Sequence, residues 1–312
     1  MTIHRRHFLG GLLGVGASLG FPLIRVADAR RAQTLTILHT NDTHSRIDPF
    51  QTGKYKGMGG VARRAALIAQ IKRQNPATLV LDAGDVLQGT PYFNMFNGRV
   101  EFEALRRSGY DMVAIGNHDF DAGSERLLFL AKNHGKFPLV CANLLFSQSG
   151  AERLVKPYEI REVGGWKVGI LGLSVRLRGL VPSKLHNGVQ YVSPLPVAKK
   201  LVKQLREVHR CDAVIALSHL GYTGFDGEPG DQDLAREVPG IDIIIGGHTH
   251  TFLMQPTQVK APDDRTTRIY QVGHSGLYLG RIDLSFAPRT GLQIREKNVP
   301  VGLKPAVNNS GK

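Results

Sequence analysis

The chain has 312 residues and a formal net charge of +14, with 42% hydrophobic and 21% charged residues. This mix is ordinary for a globular protein, and the length suffices for one large domain or two small ones with a sizeable core. Two cysteines, Cys141 and Cys211, are too few for a disulfide scaffold. An oxidising compartment would permit a disulfide between them, but we expect both to be free and buried.

The excess of positive charge favours anionic partners such as phosphate esters, nucleotides or membrane headgroups, and does not choose among them. Basic residues are scattered along helical stretches, where a solvated helix face is the default interpretation. The sequence contains no nucleic-acid-binding motif, so we do not expect nucleic acid as a main partner.

The first 29 residues have the features of an export signal. Twin arginines, Arg5 and Arg6, precede a weakly apolar, glycine-rich run, and Ala27 to Ala29 match an A-x-A cleavage pattern. We predict a twin-arginine signal peptide over residues 1–29, cleaved near Ala29, and a periplasmic mature chain. Cleavage removes three arginines and one aspartate, which leaves a net charge of +12. The alternative is a membrane anchor, but the run is short and glycine-rich, and no other segment approaches the ~20 apolar residues of a spanning helix.

From about residue 34 the sequence alternates apolar runs with amphipathic stretches, which is typical of an α/β protein with buried strands. Strands are predicted over residues 34–40, 77–83, 111–116, 137–143, 166–175, 212–219 and 241–247. Helices are predicted over residues 59–74, 101–109, 123–135, 196–210 and 231–238. Residues 267–286 and 291–299 predict antiparallel strands joined by glycine turns.

Polar residues follow five of the predicted strands. They are Asp42 and His44 in NDTH, Asp82 and Asp85 in DAGDVLQG, Asn117, His118, Asp119 and Asp121 in GNHDFD, His219 in SHLG, and His248 and His250 in GGHTH. Such groups need partners, either water on a surface loop or metal ions. Each motif alone is typical of a turn or a helix cap. Five motifs together, at the carboxyl ends of strands where α/β folds build their sites, indicate one functional site.

The residue types point to metal chemistry. Aspartate, asparagine and histidine offer oxygen and imidazole ligands without thiolate, which suits Zn²⁺, Mn²⁺, Fe²⁺ or Co²⁺. The ligands exceed what one ion needs. Two divalent ions about 3.5–4 Å apart, bridged by one carboxylate, fit better, as in two-metal hydrolases.

The motifs NDTH, GDVLQG, GNHDFD, SHLG and GGHTH, in this order, resemble those of the calcineurin-like metallophosphoesterase superfamily, in a subfamily close to the 5′-nucleotidases. The resemblance covers roughly residues 34 to 290. It implies a four-layer α/β/β/α sandwich of two mixed sheets flanked by helices. We assign residues 30–303 to this catalytic domain and residues 304–312 to a flexible tail.

The resemblance also implies a role for each residue of the motifs. The first metal would be held by Asp42, His44 and His250, the second by Asn117, His219 and His248, and Asp85 would bridge them. The catalytic pair would be His118 and Asp121, and substrate would be bound by Asn117 and His118. We expect Asp82 and Asp119 to fix loops rather than bind metal.

The implied activity is that of a periplasmic phosphoesterase that hydrolyses nucleotides or related phosphate monoesters through a metal-bound hydroxide. Members of this subfamily usually carry a second, C-terminal domain that recognises the nucleoside, and this chain ends at Lys312. We therefore expect a catalytic domain that acts broadly or borrows the surface of a partner protein. Four residues near the motifs, Arg46, Arg176, Arg178 and His274, could touch substrate, but we expect each to be a surface residue.

Two other interpretations remain at this stage. One is an enzyme that hydrolyses a different ester, like the cyclic nucleotide phosphodiesterases or the thiosulfohydrolases, which share similar motifs. The other is a non-catalytic metal-binding subunit that needs a partner. The intact pair of His118 and Asp121 argues against this last interpretation, because binding alone does not require it.

Overall fold

Two mixed β-sheets stack face to face at the centre of the fold. The structure is a computed structural model, and it describes residues 33–287 and 291–302. The predicted signal peptide and tail lie outside the described residues. The strands, in chain order, are β1 (Leu35–Thr40), β2 (Thr78–Asp82), β3 (Met112–Ala114), β4 (Leu139–Val140), β5 (Leu144–Phe146), β6 (Val155–Lys156), β7 (Tyr158–Val163), β8 (Trp166–Ser174), β9 (Val189–Tyr191), β10 (Ala213–His219), β11 (Ile243–Gly246), β12 (Thr257–Lys260), β13 (Thr266–Tyr270), β14 (Tyr278–Ala287) and β15 (Gly291–Pro300).

The first sheet has the strand order β15-β14-β1-β2-β3-β4-β6, and the second has β12-β13-β11-β10-β8-β7. A small third sheet pairs β5 with β9. The helices are α1 (Val61–Gln74), α2 (Pro91–Phe96), α3 (Arg99–Ser108), α4 (Ser124–Leu130), α5 (Ala151–Leu154), α6 (Pro194–Lys203) and α7 (Asp231–Glu237). Short π-helical turns over Ala131–Gly135 and Gln204–Val208 continue α4 and α6, and 3₁₀ turns cover His118–Phe120 and Ser183–Leu185.

Three buried clusters separate four layers, because neighbouring residues of a central strand point to opposite faces. On β1, Ile37 lies in the cluster between the two sheets, and Leu38 lies in the cluster under α1, α3 and α4. On β10, Ile215 faces the cluster between the sheets, and Val214 packs under α6 and α7. A central strand therefore needs apolar residues on both faces, which explains the continuous apolar runs in the sequence. The predicted four-layer α/β/β/α sandwich is confirmed.

The predicted helices and central strands are all present, but the prediction for residues 267–286 is partly wrong. Strands β14 and β15 are antiparallel, as expected. Strand β13 belongs to the second sheet instead, where it runs parallel to β11 and antiparallel to β12. The chain then crosses to the first sheet through residues 271–277. Patterns of alternating residues identify strands but not the sheet they join.

Several edge strands were not predicted. Strand β7 consists of half-buried and exposed residues, and β12 alternates between half-buried and exposed ones, so neither contains an apolar run. Cys141 and Cys211 are free and buried, as expected. Within the part of the chain that the structure describes, no helix combines the length and apolar character needed to cross a membrane.

Candidate metal centre

The five polar motifs meet at one edge of the two stacked sheets. Strands β1, β2 and β3 run parallel in the first sheet, and β10 and β11 run parallel in the second, so their carboxyl ends point the same way. This arrangement gives two sets of side chains, each of which could hold a metal ion. The first group is Asp42, His44 and His250, and the second group is Asp85, His219 and His248.

In the first group the ring nitrogens converge on one point. Nε2 of His44 lies 2.9 Å from Nε2 of His250, which lies 3.5 Å from Oδ1 of Asp42. The other nitrogen of His44, Nδ1, is 3.3 Å from the carbonyl of Leu87, which orients the ring with Nε2 towards its neighbours. Burial lowers the pKa of His44, so a neutral ring with a free lone pair is favoured.

In the second group a fully buried histidine faces a carboxylate. Nδ1 of His219 donates to the carbonyl of Ala83 at 2.7 Å, and Nε2 lies 3.1 Å from Oδ2 of Asp85. A neutral ring in this tautomer would place a lone pair against a carboxylate, so a cation or a proton must lie between them. Burial lowers the pKa of His219, but Asp85 and Asp42 outweigh it and raise the pKa to about 10. The position therefore demands positive charge.

The second group also includes His248, and the amide of Asn117 adds a further type of ligand. Oδ1 of Asn117 is buried and has no hydrogen-bond partner among the described residues, which is costly unless a cation occupies the site. Burial lowers the pKa of His248 to about 4, so its ring is neutral at pH 7 and able to bind metal. The donor set is thus carboxylate, amide and neutral imidazole, which fits first-row divalent ions.

Asp85 belongs to the second group and also lies close to the first. Its Oδ2 is 3.1 Å from Nε2 of His219 and 3.9 Å from Nε2 of His44. Its Oδ1 accepts a hydrogen bond from the backbone N–H of His118 at 2.8 Å. The carboxylate is therefore oriented by the loop that follows β3 while it faces histidines of both groups.

The backbone around the centre is conformationally unusual. Five candidate ligands have a positive φ, between 46° and 71°; they are Asp42, His44, Asp85, His248 and His250. Such backbone conformations are uncommon for residues other than glycine and cost free energy, and they concentrate at functional sites. Hydrogen bonds between loops hold them, including Asp42 N to Gly84 O at 2.9 Å and His44 N to Asp85 O at 3.0 Å.

Gly116, the first residue of GNHDFD, allows the close approach of the loops. A Cβ atom at this position would lie 2.1 Å from Oδ1 of Asp85 and 2.7 Å from Nε2 of His219. Any side chain would therefore displace two candidate ligands. Glycine is needed here for space and not for a special φ.

The two remaining aspartates of the motifs fix loops, as predicted. Asp119 accepts four backbone N–H groups; the donors are Asp85, Val86, Leu87 and Gly116. Burial, together with the charge of Asp85, raises the pKa of Asp119 to about 7. Asp82 accepts the hydroxyl of Thr40 and the N–H of Gly84. Both carboxylates set the path of loops that carry candidate ligands.

His118 and Asp121 form a hydrogen-bonded pair at the rim. Nδ1 of His118 lies 2.8 Å from Oδ2 of Asp121, and this bond raises the pKa of His118. The ring of His118 lies 5.3 Å, centroid to centroid, from the ring of His44. Its side chain is 38% exposed, so a substrate can reach it.

The four residues suspected of touching substrate differ in exposure. Arg178 is exposed, as expected of a surface residue. The other three are half-buried, so the expectation that they are surface residues holds only in part. The guanidinium of Arg46 lies 4.2 Å from the ring centroid of Phe50. Arg176 forms ion pairs with Asp226 and Glu228. The ring of His274 lies 5.2 Å from that of His250.

Two positioning residues were missed. Nδ2 of Asn41 donates to Oδ2 of Asp42 at 2.6 Å, and Oδ1 of Asn41 accepts the N–H of Val272 at 3.0 Å. Gln271 bonds the carbonyl of Gly247 and the N–H of Thr251, and so fixes the loop that carries GGHTH. Both amides are buried. The position of Asn41 inside NDTH was a usable signal, whereas Gln271 lies in a strand-like segment without a motif.

Comparisons with known proteins agree with this arrangement. A family model described as calcineurin-like phosphoesterase matches residues 35–252. The chain is 35% identical over 297 residues to a snake venom 5′-nucleotidase from Gloydius brevicauda, which covers 88% of this chain and 49% of that protein. It is 33% identical over 307 residues to a 5′-nucleotidase from Vibrio cholerae, which covers 91% of this chain and 54% of that protein.

A solved structure shares the fold. The crystal structure of a 5′-nucleotidase precursor from Thermus thermophilus aligns with a TM-score of 0.76 and 33% identity, over 86% of this chain and 55% of that one. The fold and the two candidate ligand groups agree with a calcineurin-like phosphoesterase domain. The chain belongs to the calcineurin-like phosphoesterase family, and it spans about half the length of the curated relatives just named.

Proposed function

We propose that the protein is a periplasmic dinuclear-metal phosphoesterase that hydrolyses nucleotides or related phosphate monoesters. The observation that carries this proposal is the pair of adjacent ligand groups with Asp85 between them. Asp85 faces a histidine of each group through the same oxygen. A single carboxylate so placed can serve two cations at once, which is the arrangement of two-metal hydrolases.

The assignment of ligands follows the two groups. Asp42, His44 and His250 would hold the first ion, and His219, His248 and Asn117 would hold the second. Two divalent cations held there would supply Lewis acidity, which activates water and neutralises the oxygens of a phosphate. Mn²⁺, Zn²⁺, Fe²⁺ and Co²⁺ all suit these donors.

The pair of His118 and Asp121 would handle the proton of the leaving group. Asp121 accepts from Nδ1, which leaves Nε2–H of His118 free to donate to the leaving oxygen. The same hydrogen bond raises the pKa of His118, so more of the ring stays protonated near neutral pH. The backbone bond from His118 to Asp85 ties this acid to the candidate bridge. A binding subunit without chemistry would have no use for such a pair.

Nucleotides are proposed because several of the similar proteins are named 5′-nucleotidases. The net charge of +14 also suits an anionic substrate. Those proteins are about twice as long as the matched region, so part of their substrate recognition can lie outside it. A partner protein that supplies such a surface is part of the proposal, as is export through the signal predicted over residues 1–29.

A substrate panel tests the proposal. Purified mature protein, loaded with Mn²⁺ or Zn²⁺, is assayed against AMP, cyclic nucleotides, bis-p-nitrophenyl phosphate and protein-bound thiosulfate. We expect metal-dependent release of phosphate from AMP that exceeds turnover of the diesters and of thiosulfate. Preference for a diester or for thiosulfate would reassign the substrate. Absence of metal-dependent turnover with every substrate would refute the proposed enzymatic activity.

A further inference from the structure

A small cavity lies between the NDTH loop and helices α1 and α3. Its volume is about 10 Å³, which is close to the smallest that holds one water molecule. The loop contributes Ser45 to the lining, α1 contributes Arg64, and α3 contributes Glu101. No residue of either ligand group lines the cavity, so it is separate from the metal centre.

Two buried side chains of opposite charge line this cavity and lack partners. Arg64 and Glu101 are each 2% exposed. Within the part of the chain that the structure describes, Nε and Nη1 of Arg64 and Oε2 of Glu101 have no hydrogen-bond partner. Charged groups left unpaired in the interior are costly in free energy. One water molecule can accept from the guanidinium and donate to the carboxylate, whereas the carboxylate would repel an anion. The cavity is therefore suited to water.

Glu101 links the cavity to the NDTH loop. Its Oε1 accepts a hydrogen bond from the hydroxyl of Ser45, the residue that follows the candidate ligand His44. His44 and Ser45 have positive φ, at 46° and 54°, and such conformations persist only where the surrounding contacts hold them. The bond to Glu101 is one of the contacts that hold the loop of the first group in this conformation.

Arg64 packs against a second segment that holds the NDTH loop. A Cβ atom at Gly276 would clash with Nη1 of Arg64, so the guanidinium lies directly against the backbone at Gly276. The neighbouring N–H of Ser275 donates to the carbonyl of Asp42 at 2.7 Å, and Asp42 is a candidate ligand of the first group. Arg64 and Glu101 therefore support two backbone positions that adjoin or bind ligands of that group.

We propose that the cavity holds one water molecule between Arg64 and Glu101, and that these two side chains are positioning residues for the first ligand group. The network runs from Arg64 through the water and Glu101 to Ser45. The second group should not depend on it, because the backbone N–H of Asp85 is held by Asp119. The inference rests on the proposed function, because it takes the first group to hold a divalent ion.

Metal affinity tests the positioning role. Mn²⁺ is titrated by calorimetry into the purified protein, and the ion of the first group is identified as the one that His250→Ala weakens. Glu101→Leu removes the acceptor of the Ser45 hydroxyl, and we expect it to weaken the first ion about tenfold while the second ion keeps its affinity. Because this variant leaves the charge of Arg64 buried alone, it should also unfold at a lower temperature.

A second variant separates positioning from stability. Glu101→Leu/Arg64→Met removes both buried charges, so the temperature of unfolding should return towards that of the unaltered protein. The first ion should stay about tenfold weaker, because Ser45 still lacks its acceptor. A matched control is Glu103→Leu on the same helix, where Glu103 pairs with Arg99 and His134 outside the cavity. It should change neither affinity.

Equal weakening of both ions in the double variant, or full affinity for the first ion, would overturn the positioning role. A crystal structure of the unaltered protein should show one water molecule within hydrogen-bonding distance of Arg64 and Glu101, and a direct ion pair between them would overturn the bridging water. Neither measurement needs turnover. The expected affinities in a protein that hydrolyses no ester would leave the inference standing and refute the proposed function, whereas unchanged affinities in an active enzyme would refute the inference alone.

Discussion

The two ligand groups contain the same residue types, one aspartate and two histidines, in different surroundings. In the second group, Asp85 and His219 are almost fully buried, and His219 has no exposed surface at all. In the first group, His250 is 42% exposed and His44 is half-buried. Equal ligand sets can therefore differ in how tightly they hold an ion and in how readily solvent and substrate reach it.

The difference follows from where each histidine lies on its strand. His219 is the last residue of β10, in the interior of the sheet, and its ring is held by the carbonyl of Ala83. His250 lies four residues beyond the end of β11, in the loop. Its ring contacts the rings of His44 and His274. The hydrogen bond that orients His219 is shorter than the one that orients His44, at 2.7 Å against 3.3 Å, and His219 is fully buried, so the second group should be the stronger site.

The largest expected effect comes from removing Asp85, the residue of the second group that also faces a histidine of the first. Asp85→Ala should release both ions, since it takes away the carboxylate that faces His44 and His219. Metal catalysis contributes several kcal/mol, so we expect kcat/KM to fall by about 10³-fold or more. Elemental analysis of the purified variant measures the ions per chain. Two retained ions would refute the bridging role and with it the link between the groups.

The control for that variant is His118→Asn, which leaves both groups intact. It should keep two ions per chain and lose about 10²- to 10⁴-fold in kcat, the usual contribution of a general acid. Metal content and turnover are measured on the same preparation. Turnover at the original rate would remove His118 from the chemistry.

A smaller effect separates the groups from each other. We expect His219→Ala to lose the ion of the second group, and His250→Ala to keep that ion and bind only the other one more weakly. Loss of a residue that merely orients a ligand costs 10- to 100-fold in affinity, so loss of a ligand should cost at least about 100-fold. Metal titration followed by calorimetry gives both affinities. Loss of the tighter ion in His250→Ala would reverse the comparison.

The same difference predicts the order of metal release. A chelator should remove the ion of the open first group before that of the buried second group. The time course of metal release should then have two phases, with activity lost in the faster one if both ions are needed. A single phase for both ions would mean that burial of His219 does not control exchange.

The sequence predicted the strands, the loops and the residue types of this centre well, but not the contrast between its two halves. Each motif follows an apolar run, which places Asp42, Asp85 and His219 at strand ends without knowledge of the fold. Whether a loop residue is buried depends on which loops pack against it. His250 is exposed and His248 half-buried although they share one motif. The membership of β13 in the second sheet, apart from β14, also left no signal in the pattern.

The smallest effect tests the support beneath both groups. Asp119→Asn keeps the shape of the side chain but replaces one oxygen with an NH₂ group. Each oxygen of Asp119 now accepts two backbone N–H groups, among them those of Asp85 and Gly116 at 3.0 and 2.8 Å. The new NH₂ group is itself a hydrogen-bond donor and would lie against two backbone N–H donors that then have no acceptor. We therefore expect a loss of about 2 kcal/mol in the free energy of unfolding.

Because the Asp119 bonds also set the position of Asp85, Asp119→Asn should weaken metal affinity about 10- to 100-fold in both groups alike. Asp242→Asn is a matched control, since Asp242 accepts the N–H of Val214 and pairs with Arg206 at the opposite end of the second sheet. It should lower stability and leave metal affinity unchanged. Thermal unfolding and metal titration of the two variants separate these effects. A loss confined to one group would mean that Asp119 supports only that group, so that the two groups differ in their supporting hydrogen bonds as well as in their burial.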